Sequence, residues 1–172
     1  RQFKHSVTLA RGAYVITGGL GGLGLRAAVL LADIGACGVS LTSRSGHLAR
    51  NHPATEVGLR PVGAAIVACD SADAGDTSAL VGTAPPTGLL HTAGIGDQTV
   101  PFGQVDALRL HLLHAPKAVG AWHLHGATKV KPLEACLLFS SQVAILGTFG
   151  QASYAAANAC LDARALWSRG HG

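Results

Sequence analysis

Residues 13–24 read AYVITGGLGGLG, a short strand-like run that passes at Thr17 directly into a turn built from Gly18, Gly19, Gly21, Gly22 and Gly24 around Leu20 and Leu23. A strand that ends in such a turn and then enters a helix brings backbone N–H groups, and the positive end of the helix dipole, against a pyrophosphate. Glycine is needed there because a Cβ would hold the phosphate away and because some positions require positive φ. The plain alternative is a flexible turn that binds nothing, and the strand-turn-helix setting argues against it.

Working outward, further strand-like runs occupy 38–42, 64–69, 88–91 and 135–140, and the stretches between them have helical content. Strands alternating with helices imply right-handed βαβ units and a mostly parallel, doubly wound α/β sheet flanked by helices. Residues 26–34 read as a helix stopped at Gly35. Residues 104–114 place Val105, Leu108 and Leu112 on one helical face, Pro116 then interrupts, and a second helical piece runs to about His125. A third helix covers 155–168. Segments 46–61 and 70–86 read as shortened, loop-like crossovers.

About twenty residues past Gly24, where an acid would contact the ribose hydroxyls of NAD, stand Ser43, Arg44 and Ser45. An arginine favours a 2′-phosphate that an acid would repel, so NADPH is the expected cofactor. Asp70, after the third strand, is placed to accept from the adenine amino group or else to cap the next segment. His91, Thr92, Ala93 and Gly94 close the fourth strand, where the nucleotide ribose should lie.

A carbonyl reduction also needs an acid and a group that polarises the oxygen. The run SSQVAILGTFGQASYAAAN supplies Ser141 as hydrogen-bond donor, Tyr154 as acid, and Asn158 one helical turn later to order a proton-supplying water. A free phenol, with a pKa near ~10, is too weak at neutral pH unless a cation stands beside it. Lys117 precedes a helix expected to run next to that of Tyr154.

YVITGGLGGLG, LTSRSG, HTAG, APKAVGAWHLH and FSSQVAILGTFGQASYAAANACLDA together closely resemble the ketoreductase domain of type I polyketide synthases and its relative in animal-type fatty acid synthases. The resemblance covers nearly the whole chain. It implies Lys117, Ser141, Tyr154 and Asn158 as catalytic positions, and Gly18, Gly22, Gly24, Arg44 and Asp70 among the cofactor positions. It further implies NADPH-dependent reduction of a β-ketoacyl thioester, carried on the phosphopantetheine arm of an acyl carrier protein, to the β-hydroxyacyl thioester. The neighbouring partners would be other synthase domains. The family's Leu-Asp-Asp marker of product configuration is replaced by Gly96-Asp97-Gln98, and the tryptophan of the opposite class by Leu146. Such domains continue into further strands and a lid, so 1–172 is expected to be a single domain within a larger synthase.

Composition fits this reading. The chain of 172 residues is 48% hydrophobic and 5% aromatic with 23 glycines, enough for one core of close helix-on-strand contacts. Its +4 charge comes from scattered Lys and Arg with no basic-aromatic run, which argues against nucleic acid, and its apolar runs are too short to span a bilayer. A cytoplasmic protein is expected. Cys37, Cys69, Cys136 and Cys160 read as reduced core thiols. His111, His114, His123 and His125 lack a carboxylate or cysteine to complete a metal site. Two other functions compete with the carrier-dependent reductase: a silent structural domain, and a free-standing dehydrogenase acting on a diffusible ketone.

Overall fold

A computed structural model describes residues 12–47, 64–83, 85–96, 99–131 and 133–171. Five parallel strands form one sheet: β1 (Ala13–Thr17), β2 (Gly38–Ser43), β3 (Ala65–Ala68), β4 (Gly88–His91) and β5 (Ala135–Leu138), in the order β3-β2-β1-β4-β5. The chain steps outward from β1 through β2 to β3, then returns to the other side of β1 with β4. The switch point therefore lies between β1 and β4, where Thr17 sits in register with Thr42 on one side and His91 on the other. A cleft opens past the carboxyl ends of strands at such a reversal.

The central strands are buried on both faces, as parallel sheets covered by helices must be. Tyr14 and Ile16 point to one face, where they meet Leu25, Ala28 and Leu31 of α1 (Gly22–Asp33) together with Val39, Leu41 and Leu90. Val15 and Leu89 point to the other, against Cys69, Leu80 of α2 (Ala74–Thr83) and Leu124 of α4 (Gly120–Thr128). This is the period-two alternation of a strand written into two cores. Fully buried Ile16, Leu41 and Leu89 each stabilise the fold by roughly 1.5–3 kcal/mol relative to exposure.

α1 begins at Gly22, inside the glycine turn, earlier than the expected 26–34. It stops as expected at Gly35, whose φ of 97° lets its N–H reach Ala32 O and the Ala36 N–H reach Leu31 O. The crossover at 70–86 is not loop-like. It contains α2, whose first turn is capped by Asp73 Oδ1 accepting from Asp76 N at 2.9 Å. Most of 46–61 lies outside the described residues, as do Asp97 and Gln98.

Pro116 does not interrupt the next helix either. α3 (Ala107–His114), N-capped by the Asp106 side chain, runs through a π-helical turn (Ala115–Val119) into α4. The wider turn accommodates the missing N–H and the ring of the proline. The expected apolar face of α3 is also displaced: Leu108 and Leu112 are exposed, and Leu113 is the buried residue. After β5 come a short helix, α5 (Val143–Leu146), and the long α6 (Ala152–His171), which starts before and ends beyond the expected 155–168. Of the four cysteines only Cys69 is buried, so the reading of all four as core thiols is corrected.

Candidate active site

The glycine turn after β1 is shaped by close backbone approach. Gly18 has a φ of 66°, and a Cβ on it would lie 2.6 Å from Ala93 Cα. The end of β4 therefore packs directly on the turn, and both the N–H and the hydroxyl of Thr92 donate to Thr17 O, at 3.0 and 2.7 Å. A Cβ on Gly24 would lie 2.5 Å from Gly19 Cα, so the first turn of α1 rests on the chain that leads into it. Gly19 N donates to Thr42 O at 2.9 Å, which fixes the turn to β2. At the mouth of α1 the N-cap Gly21 provides no side chain, the first turn has no acid, and the Cβ direction of Gly22 faces open space. An uncapped helix N-terminus with bare glycine in front of it fits a dinucleotide pyrophosphate.

Beside this turn lies a cavity of about 300 Å³ lined by Gly18, Ser43, Arg44, Asp70, Ala93 and Gly94 together with His111 and Leu112. Six of the fourteen cofactor candidates, Gly18, Ser43, Arg44, Asp70, Ala93 and Gly94, line this cavity. Arg44 is exposed at the rim. Asp70 Oδ1 accepts from Ala72 N at 2.9 Å, so Asp70 caps the turn that follows β3 as well as lining the cavity, while Asp73 caps α2 itself. Ser45 is outside the lining and turns toward His47, whose N–H donates to its Oγ at 3.3 Å. Leu23, on the first turn of α1, is largely exposed. His111 was not anticipated as a lining residue. Its only sequence signal was the spacing to His114 that raised a metal site, and among the described residues no group of three His, Cys, Asp or Glu is placed to hold a metal.

His91 departs from expectation. Its ring is fully buried and does not line the cavity, with Nδ1 2.6 Å from Thr17 Oγ1 and Nε2 3.1 Å from Lys117 O. Burial pushes its pKa down to about 4. At this strand end Ala93 and Gly94, and not His91, line the cavity.

Two of the catalytic candidates, Lys117 and Tyr154, meet at the π-helical turn. Lys117 is 5% exposed, its Nζ donates to Phe139 O at 3.1 Å, and the same Nζ stands 5.6 Å from the centre of the Tyr154 ring. Burial lowers its pKa from the usual lysine value. Asn158, completely buried one turn along α6, donates from Nδ2 to Tyr154 O at 2.8 Å, while its Oδ1 is a buried acceptor without a partner. Ser141 lies at the start of the segment entering α5, where its Oγ accepts from Val143 N at 3.4 Å. Ser140 Oγ donates to Asn158 O at 3.3 Å and so joins this strand end to α6. Between Ser141 and Tyr154, Ile145, Leu146 and Phe149 expose large apolar surfaces. A larger hollow of about 490 Å³ between α4, α6 and β5 contains none of the predicted site residues. Chemistry, not size, marks the site.

Comparison with known proteins bears on this arrangement. The KR domain family matches residues 12–172. A mycocerosic acid synthase-like polyketide synthase of Mycobacterium tuberculosis is 40% identical over 165 residues, covering 92% of this chain and 8% of the relative. The spectinabilin polyketide synthase system protein NorB of Streptomyces orinoci is also 40% identical, with 94% and 8% covered. Among solved structures, the first ketoreductase of the tylosin polyketide synthase superimposes with a TM-score of 0.83 at 41% identity, covering 92% of this chain and 36% of that one. The ketoreductase from the first module of phoslactomycin biosynthesis in Streptomyces sp. HK803 gives 0.85 at 38% identity, covering 94% and 39%. The chain therefore spans a small fraction of its curated relatives and little more than a third of these solved ketoreductases.

Proposed function

Since this chain belongs to the KR domain family of polyketide synthases, we propose that it reduces a β-ketoacyl thioester, carried on the phosphopantetheine arm of an acyl carrier protein, to the β-hydroxyacyl thioester, using NADPH. The observation that carries this reading is the buried Lys117 ammonium over the Tyr154 ring, reached from the glycine turn through Gly94. Gly94, which lines the cavity beside the glycine turn, lies against the same lysine, which supports placing acid, cation and dinucleotide together.

When bound, NADPH supplies the hydride. The pyrophosphate would rest on the N–H groups of Gly22, Leu23 and Gly24, and the 2′-phosphate beside Ser43, Arg44 and Ser45. Ser141 donates a hydrogen bond to the substrate oxygen and Tyr154 gives it the proton. The positive charge on Lys117 stabilises the phenolate left behind. Asn158 offers its free Oδ1 to a water that returns the proton. Ile145, Leu146 and Phe149, exposed on the segment between Ser141 and Tyr154, would give the acyl chain an apolar surface. Other domains of the same synthase would be the neighbours of this one.

The test follows NADPH oxidation with a β-ketoacyl thioester on acyl carrier protein, on pantetheine alone, and with a simple diffusible ketone. Turnover that depends on the pantetheine arm and is lost in Tyr154→Phe supports the proposal. Equal turnover of the diffusible ketone would favour a free-standing dehydrogenase, and NADPH binding without turnover a silent domain.

A further inference from the structure

The buried imidazole of His91 closes a small circuit around the lysine. Lys117 O is an acceptor only, so the contact at 3.1 Å requires His91 Nε2 to carry the proton. Nδ1 is then an acceptor, and the Thr17 hydroxyl, 2.6 Å away, must donate to it. The main chain of His91 completes the loop: its carbonyl accepts from Phe139 N at 3.0 Å, and Phe139 O accepts from Lys117 Nζ at 3.1 Å. One residue thus fixes Lys117 twice, at its backbone through the ring and at its amine through Phe139.

The surroundings are fitted to this ring. A Cβ on Gly120 would lie 3.1 Å from His91 Cε1 and 2.8 Å from Ser71 Oγ, so α4 can approach only because position 120 has no side chain. Ser71 Oγ donates to Pro116 O at 3.4 Å, a second side chain bonded to a carbonyl of the π-helical turn. A π-helical turn leaves carbonyls poorly matched within the helix, and these side chains supply the missing donors.

The geometry points to His91 as a positioning residue: a neutral strut, protonated on Nε2, that holds the π-helical turn so that Lys117 faces Tyr154, and that ties the lysine to Thr17 at the base of the glycine turn. This rests on the reductase reading above for its catalytic consequence, although the strut itself does not. His91 touches neither substrate nor cofactor.

The experiment uses the full polypeptide that carries this domain, as wild type and as His91→Leu, His91→Gln and Gly120→Ala. Gln keeps an N–H donor near the place of Nε2, Leu removes it, and Gly120→Ala pushes the ring without deleting it. In the wild type, the imidazole nitrogen signals of His91 should report the Nε2–H tautomer, and the Lys117 Cε signal should shift in His91→Leu and Gly120→Ala and return in His91→Gln. In turnover, kcat of His91→Leu should fall by about tenfold to a hundredfold through misplacement of the amine, with KM little changed, and His91→Gln should recover most of it. An Nδ1–H tautomer, or a Lys117 signal unmoved in both His91→Leu and Gly120→Ala, overturns the strut. A His91→Gln variant as impaired as His91→Leu overturns it too. Absence of wild-type turnover instead defeats the reductase reading and leaves the nuclear resonance signals to decide the strut. Should His91→Leu fail to fold, Gly120→Ala against His91→Gln gives the same decision.

Discussion

Gly94 lies against Lys117 so closely that a Cβ on it would be 2.9 Å from Cε and 3.3 Å from Nζ. The obstructing atoms are the far end of a flexible side chain, so Gly94→Ala should leave the fold intact and move the amine. Under the proposed mechanism kcat falls by about tenfold or more, with the thermal midpoint of unfolding little changed. Unchanged turnover would show that the amine's position against Tyr154 is immaterial.

Tyr154→Phe removes the proposed acid and leaves the ring on which Lys117 rests. Reduction should drop by about 10²–10⁴-fold, while NADPH binding, followed by its fluorescence, stays as in the wild type. A variant that retains full turnover would move the acid elsewhere.

Arg44 stands exposed at the cavity rim, close in sequence and space to Ser43. Charge-assisted bonds to a phosphate are worth about 1.5–3 kcal/mol, so Arg44→Asp should lower the NADPH to NADH preference by roughly tenfold to a hundredfold. The ratio of kcat/KM for the two cofactors checks this, and an unaltered ratio would remove Arg44 from the site.

The folded pKa of His91, about 4, lies below its ordinary 6.5 because burial disfavours the charged ring. Between these values the unfolded chain binds more protons than the folded one. The stability contributed by the neutral ring is therefore complete above about pH 6.5 and lost as pH falls toward 4, at up to ~1.4 kcal/mol per pH unit. Urea unfolding from pH 4.5 to 7.5 should show this slope, reduced in His91→Gln. Identical slopes would contradict it.

Cys69 is buried, and its thiol pKa is pushed up to about 11 by desolvation first and then by Asp76, Asp70 and Asp73. Cys37, Cys136 and Cys160 are exposed. Burial raises the pKa of the Cys136 thiol, so a thiol reagent at pH 7.5 should label Cys37 and Cys160 promptly, Cys136 more slowly, and Cys69 only after unfolding. Rapid labelling of Cys69 in the native protein would refute this.

How much of this could be read from residues alone differs by element. The strand and turn were legible because glycine at the mouth of a helix has few other uses, and Gly35 announced the helix end, whereas α1 starts at Gly22, inside the turn and ahead of the expected residue 26. α2 was hidden because Ala74, Gly75 and Gly82 give it little apolar contrast, with Thr77, Leu80 and Val81 as its buried face. Pro116 read as a break because a proline conflicts with an α-helical ladder, but a π-helical turn relieves that conflict. The direction of His91 was not legible either, since every residue of β4 is buried and the strand carries no inside-outside alternation. Lys117 and Tyr154 were singled out from the need for an acid and a nearby cation, with the family resemblance pointing to the same pair, but no spacing in the sequence gives the 5.6 Å between amine and ring.

The π-helical turn also sets the phase of a long helical rod. Each extra residue in a turn rotates everything beyond it by about 100°, so α3 and α4 are two cylinders clocked differently on one axle. The first half can present Leu113 toward the side of α6 while the second half presents Leu124 to the sheet and α2. Deleting a single residue from Ala115–Val119 would turn one half out of mesh with its neighbours, however conservative its chemistry. Apart from Lys117, this segment should therefore accept substitutions far more readily than changes in length.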